Sequence, residues 1–232
     1  MTRGGTKEPL PPPLPPETRT VGQLVAETIN LYRRRFWASL ALGLGPAAAA
    51  VGLAAIPGWW ALAFALTVWV LLMTASYVRA VTIAVDEPIE WRAIWTGFAV
   101  GCVVLLPAPL LLSLFVLPAI IWLGVVGLAV PAALAERRGF RDSLRRGFEL
   151  GRADPVHAIG GLATLVIVFA VIRIMLVLLL RSGSEVAERS AAFLGDLVLS
   201  PVLFVGSAIL YLDQAARLRA RSSKLEAPTQ EA

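Results

Sequence analysis

Thirty-nine consecutive residues, Gly97 to Ala135, carry no charged side chain. A water-exposed segment of that length would leave most of its side chains without solvation. A helix crossing a bilayer needs about 20 mostly apolar residues, so the run has room for two. Four further apolar stretches accompany it. Trp37 to Ile56 stops at Pro57-Gly58, and Trp59 to about Tyr77 follows. The others run from about Val156 to Leu180 and from about Ala191 to Leu212. Six such stretches predict an all-α, polytopic membrane protein. Composition agrees: 57% of the 232 residues are hydrophobic and 16% are charged, against roughly 45–50% and about 25% in soluble domains. Those figures count against a soluble domain and against whole-chain disorder.

The spans pair into hairpins. Pro57-Gly58 is too short for anything but a tight turn between the first two. The long run is predicted to split near Leu114 to Leu117, with Pro118 opening the second helix as its first residue. Pro107, Pro109 and Pro131 fall inside the proposed helices, where kinks are expected. An amphipathic segment precedes each pair: 18–36, 85–96 and 136–150. In the first, Val21, Leu24, Val25, Thr28, Ile29 and Tyr32 share one helical face, and Thr20 and Gln23 have capping-box spacing. In the third, Phe140, Leu144 and Phe148 recur every four residues among six arginines, and Asp154-Pro155 ends the helix. The predicted architecture is therefore three units, each an interfacial helix plus a hairpin. Residues 1–17 form a proline-rich tail that favours extended polyproline II. Residues 18–212 form the membrane domain, and 213–232 a basic tail.

The basic residues are strongly sided. Eighteen of the 21 Lys and Arg fall in the N-terminal segment, the second and fourth loops and the C-terminal tail. Arg181 and Arg189 lie on the other side, and Arg173 lies within a span. Lys and Arg mark the cytoplasmic side. Both termini are therefore expected in the cytoplasm of a cell-membrane protein, with all three amphipathic segments on that face. The formal charge of +5 then points to anionic lipid headgroups. No basic face interleaved with aromatics suggests nucleic acid.

Two groups of residues are candidates for function. Arg33, Arg34, Arg35, Arg141, Arg145 and Arg146 end or line amphipathic segments, where guanidinium groups can reach lipid phosphates. Arg173 and Asp196 lie inside the fifth and sixth spans, each about 10 Å from the same end at 1.5 Å per residue. Charge at that depth faces protein or water. The two are read either as a substrate or proton site, or as a structural ion pair, or as side chains reaching outward. Gly97 and Gly101 are spaced for close helix contact. His157, at the start of the fifth span, reads as an interfacial residue. Cys102 stands alone in an apolar run as a small buried hydrophobe, so neither an intrachain disulfide nor a cysteine metal cluster is expected. No phosphate-binding loop, zinc-helix or nucleophile-elbow motif occurs. No enzymatic activity, cofactor or metal is expected.

Three stretches carry a resemblance. They are Val21-Gly22-Gln23-Leu24 through Leu31-Tyr32-Arg33-Arg34-Arg35-Phe36; Val130-Pro131 with Glu136 and Ser143-Leu144-Arg145-Arg146-Gly147-Phe148-Glu149-Leu150; and Ile209-Leu210-Tyr211-Leu212-Asp213 with Arg217 and Arg219. Over residues 18 to 221 the chain resembles the membrane domain attached to some glycerophosphoryl diester phosphodiesterases, and its stand-alone relatives. Gln214 departs from that pattern, and the metal-binding hydrolase barrel is missing. The resemblance implies a membrane module without hydrolase activity. The expected role is organising anionic lipid or a partner enzyme at the cytoplasmic leaflet. The alternative is a transporter or permease component for a small or lipid-like substrate.

Overall fold

The computed structural model describes residues 15–85, 88–180 and 185–226. These form helices and no strand. The proposed 1–17 tail lies outside the described residues up to residue 14, as do Asp86, Glu87, the loop 181–184 and residues 227–232.

Six helical stretches are long and apolar enough to cross a membrane: Phe36–Ala55, Trp59–Val85, Trp91–Leu114, Val116–Ala135, Pro155–Leu179 and Arg189–Ser223. These are the length and composition of a multipass membrane protein. Large aromatics stand exposed at their ends, Trp37, Trp91 and Trp95 at one end and Trp59 and Trp60 at the other, as bilayer interfaces favour.

The first helix, α1 (Val21–Arg34), opens with the predicted capping box. Gln23 N donates to Thr20 Oγ1 at 3.4 Å, and Thr20 N donates to Gln23 Oε1 at 2.9 Å. Its buried face is Leu24 and Thr28, which lies against the last helix.

Four spans are interrupted, and in the first, third and fourth proline chemistry explains where. A proline has no N–H for the carbonyl four residues earlier and clashes with it. The first span divides at Gly43 into α2 (Phe36–Leu42) and α3 (Leu44–Ala55), so that Pro46 falls in the first turn of α3. Gly58, at φ 66°, makes the tight turn into α4 (Trp59–Phe64). A π-helical turn, Ala65–Trp69, leads into α5 (Val70–Val85). The third span is α6 (Trp91–Leu105) and α7 (Ala108–Leu114), broken at Pro107. One extended residue, Phe115, separates it from α8 (Val116–Val126), and α9 (Ala129–Ala135) follows a break at Gly127-Leu128. The predicted division at 114–117 is thus observed. Pro118 sits in the third helical position, not the first. A first-turn proline removes an N–H that has no partner within its own helix.

The remaining helices are α10 (Phe140–Ala153), α11 (Pro155–Leu180) and α12 (Glu185–Glu226). Asp154 ends α10 and caps α11, its Oδ1 accepting from His157 N at 3.2 Å. Three boundaries differ from the sequence reading. The second span runs eight residues past Tyr77 to Val85. The proposed separate segment 85–96 is not a helix of its own: α6 starts at Trp91 and continues through Gly97, since no proline interrupts Trp91 to Leu105. The sixth helix does not stop at Leu212. It continues to Glu226 because Asp213, Gln214 and Arg217 find partners inside the bundle.

The last helix is the axis of the fold. It packs against α1, α2, α3, α5, α10 and α11. Its neighbour α11 is far less enclosed and leaves Ile167, Val171, Ile174, Met175 and Leu178 exposed. Glycines set the closest approaches. A Cβ on Gly97 would lie 2.8 Å from Leu134 Cγ, and one on Gly101 2.6 Å from Thr74 Cγ2, so the predicted small-residue contact exists. On α10, Gly147 and Gly151 lie against Ala129 and Val125, which seats that helix across the α8–α9 break.

Gly43 is the tightest of these positions. Pro201 deprives the Leu197 carbonyl of its helical N–H, and Gly43 packs directly on that carbonyl. A Cβ there would stand 2.6 Å from the Leu197 carbonyl carbon and 2.8 Å from its Cα. Both are backbone atoms and cannot rotate away. Gly43→Ala should therefore lower stability by about 1–3 kcal/mol, read as a fall in Tm in detergent. Gly160→Ala, whose Cβ meets nothing within 4 Å, should be neutral or slightly stabilising. Equal Tm values for the two variants would refute the contact.

Candidate functional site

The six spans line a partly open cavity of about 570 Å³. Each contributes to its wall: Pro46, Met73, Leu105, Ile120, Phe169 and Phe204 come from spans one to six in turn. The helix breaks border it too, through Ala108, Val116, Gly127 and Leu128. Straight helices would close on one another. Helices interrupted by proline and glycine bow apart and leave this volume between them.

The wall is almost entirely hydrocarbon, and its few hydroxyls are turned to the backbone. Tyr77 donates to Gly127 O at 3.1 Å, the carbonyl that Pro131 leaves without its helical donor. Ser207 donates to Leu203 O at 2.7 Å, and Ser200 donates to Asp196 O. Nearby, Trp122 Nε1 donates to Val104 O at 2.8 Å beside the Pro107 break. The carbonyl that Pro131 frees at Gly127 is thus served inside the protein, as lipid requires.

One polar element faces this volume. Arg173 and Asp196 both line the cavity. Arg173 Nε lies 2.9 Å from Asp196 Oδ1, and Nη2 donates to Oδ2 at 3.2 Å. The structure therefore brings the two predicted intramembrane charges together side-on. The pairing is asymmetric: the Arg173 side chain is 43% exposed and that of Asp196 8%. Phe169, Ala170 and Arg173 also line a second, shallower recess along α11, with Ile174, Val177 and Leu178.

At the opposite end the cavity stops at Ser207 and Leu210. A layer of ion pairs follows immediately. Glu136 Oε1 accepts from Tyr211 at 3.0 Å and from Arg146 Nε at 3.1 Å, and Oε2 accepts from Arg138 Nε at 2.5 Å. The chain turns beside it at Arg137, in the left-handed conformation with φ 51°. Arg19 Nη1 reaches Asp213 Oδ1 at 2.6 Å. Asp213 is fully buried, and its Oδ2 lies 3.9 Å from His157 Nε2. Arg217 bonds Asp154 Oδ2 at 3.1 Å and Arg19 O at 2.6 Å. Gln214 donates to Asp154 O at 3.1 Å.

The six arginines proposed for headgroups divide by environment. Arg33, Arg34 and Arg141 are exposed, and Arg35 is half-buried at the α1–α2 junction. Arg145 is 82% exposed and pairs with Glu149 at 3.0 Å. Arg146 is 17% exposed and held by Glu136. Sequence reasoning missed the polar layer. Its signals were Asp213 and Gln214 directly after an apolar helix and Arg19 just before a helix cap. Cys102 is half-buried, and no metal-competent cluster of His, Cys, Asp or Glu occurs among the described residues.

No family model, curated protein or solved structure matches the chain.

Burial acts to raise the Glu136 pKa, but hydrogen bonds from Arg138, Arg146 and Tyr211 outweigh it and bring the pKa below the ordinary carboxylate value. The stabilisation is then complete above the unfolded-state value of about 4.3. It is lost as pH falls through the lower folded-state value. Relative to its own Tm at pH 7, the wild-type protein should lose stability more steeply below about pH 4.3 than Glu136→Gln does. Parallel pH–Tm curves would remove the ionised carboxylate from this role.

Proposed function

We propose that the chain is a non-enzymatic integral membrane protein of the cell membrane that holds a lipid-like amphiphile in its central cavity. The observation that carries this reading is the cavity itself: all six spans line it, its wall is hydrocarbon, and one charged pair stands at one end. Its volume falls within the roughly 300–1,000 Å³ common for small-molecule sites. An apolar void of this size amid lipid fills with something apolar, and the Arg173 guanidinium at one end gives that occupant an orientation. The sidedness of Lys and Arg supports a cytoplasmic position for the polar layer and both termini. A carrier that moves the amphiphile would use the same site.

A second reading concerns the basic end. Three units of amphipathic segment plus hairpin would present arginines to an anionic leaflet and organise lipid or a partner enzyme there. Exposed Arg33, Arg34 and Arg141 beside exposed Trp37 and Trp91 favour it. The likeness to the phosphodiesterase membrane domain is consistent with it.

Each reading has its own test. Native mass spectrometry of the protein extracted from membrane should show one amphiphile per chain. Ala50→Phe and Ala170→Phe, which fill the cavity from the first and fifth spans, should remove it with little change in Tm. A wild-type chain that carries none, and takes up none when lipid is added, would overturn the cavity reading. Replacing Arg33, Arg34 and Arg141 with Gln should reduce the enrichment of anionic lipid around the reconstituted protein, by about 1 kcal/mol per residue. Unchanged enrichment would overturn the leaflet reading.

A further inference from the structure

We infer that the occupant of the cavity is a single-chain amphiphile with an acidic head, a phosphate or a carboxylate, whose head sits at Arg173 and whose tail runs toward Leu210. This rests on the cavity reading above and names its ligand. Three observations converge.

The first is shape. Along α12 the cavity extends from Asp196 to Leu210, fourteen residues or about 21 Å at 1.5 Å each. A volume of about 570 Å³ spread over that length makes the cavity elongated, which favours a slender occupant. The length exceeds the ~15 Å depth of one leaflet's hydrocarbon. A tail held here therefore passes the midplane, deeper than it would lie in free bilayer.

The second is charge. The carboxylate of Asp196 is sheltered while the guanidinium of Arg173 is not, so an arriving head meets the cation. Asp196 occupies one edge of the guanidinium fork. A guanidinium has five N–H donors, and the opposite edge suits two oxygens of an anion. Among the described residues that line the cavity, the other polar side chains are the hydroxyls of Tyr77, Ser200 and Ser207, each donated to a backbone carbonyl.

The third is access. Arg173, Phe169 and Ala170 line the recess along α11 as well as the cavity. That helix is the least enclosed span. The head would slide in beside α11 at the end away from the polar layer, keeping its charge near the interface while the tail turns inward. The ion pairs below Leu210 close the other end.

The test uses the purified full chain, stripped of lipid and then offered single probes, with retention read by native mass spectrometry. The probes are palmitate, lysophosphatidylglycerol, lysophosphatidylcholine, monopalmitoylglycerol and diacyl phosphatidylglycerol. Palmitate and lysophosphatidylglycerol should be retained, one per chain, at least about tenfold more tightly than the neutral single-chain probe, the size of one charged hydrogen bond. Lysophosphatidylcholine and the diacyl lipid should be retained more weakly than either. The double variant Arg173→Gln with Asp196→Asn leaves no unpaired buried charge and should erase the preference for acidic heads. Ser207→Phe, at the far end of the cavity, should shift the preferred tail to shorter chains while the head preference persists. That second variant keeps the test decisive where the charge variant fails to fold.

Retention of the diacyl lipid as tightly as its single-chain counterpart would overturn this inference and leave the cavity reading standing. Equal retention of acidic and neutral heads would do the same. Retention of no probe by the wild-type chain would overturn both.

Discussion

A fully buried carboxylate has to be matched, and the matching of Asp213 organises one whole end of this protein. The desolvation of a buried charge is repaid only with good geometry and further hydrogen bonds. Arg19 supplies the short contact at 2.6 Å. Arg217 ties Arg19's own carbonyl to Asp154, and Gln214 bonds the Asp154 backbone. The result joins the start of α1, the α10–α11 junction and the end of α12. Glu136 adds α9 and α10 through Tyr211 and Arg146. Apolar packing alone would hold these helices weakly against lipid, since lipid tails are as apolar as leucine. The polar layer gives them a reason to choose one another.

The middle of the bundle follows a different constraint. Every proline inside a span releases a carbonyl, and lipid offers it no donor. Tyr77 serves the Gly127 carbonyl, while the Leu197 carbonyl lies against Gly43. The breaks themselves border the cavity. The same residues that look like defects in a helix thus create the volume on which the proposed function depends.

Much of this was legible before any coordinates. Hydropathy runs located all six spans, because length and apolarity are local properties. The capping box at Thr20, the turn at Pro57-Gly58, the break near Phe115 and the stop at Asp154-Pro155 were legible for the same reason. The Arg173–Asp196 contact was readable as a possibility from helical rise alone. What stayed hidden needed non-local information. Nothing near Asp213 indicates that its partner is Arg19. The extension of α12 past Leu212 was masked because its polar residues look solvent-facing until their partners are known. The cavity was hidden most deeply, since it is a property of how bent helices fail to meet and has no residue signature of its own.

The ion pair between Arg19 and Asp213 also has a bearing on biogenesis. Its members lie 194 residues apart in the chain. At synthesis rates of about 5–20 residues per second, roughly 10–40 s separate their emergence from the ribosome. During that interval α1 has no ionic partner, and the early spans must persist in the bilayer with the seat of α12 vacant. Helix α12 is then a keystone: its insertion and the engagement of α1 become a single event.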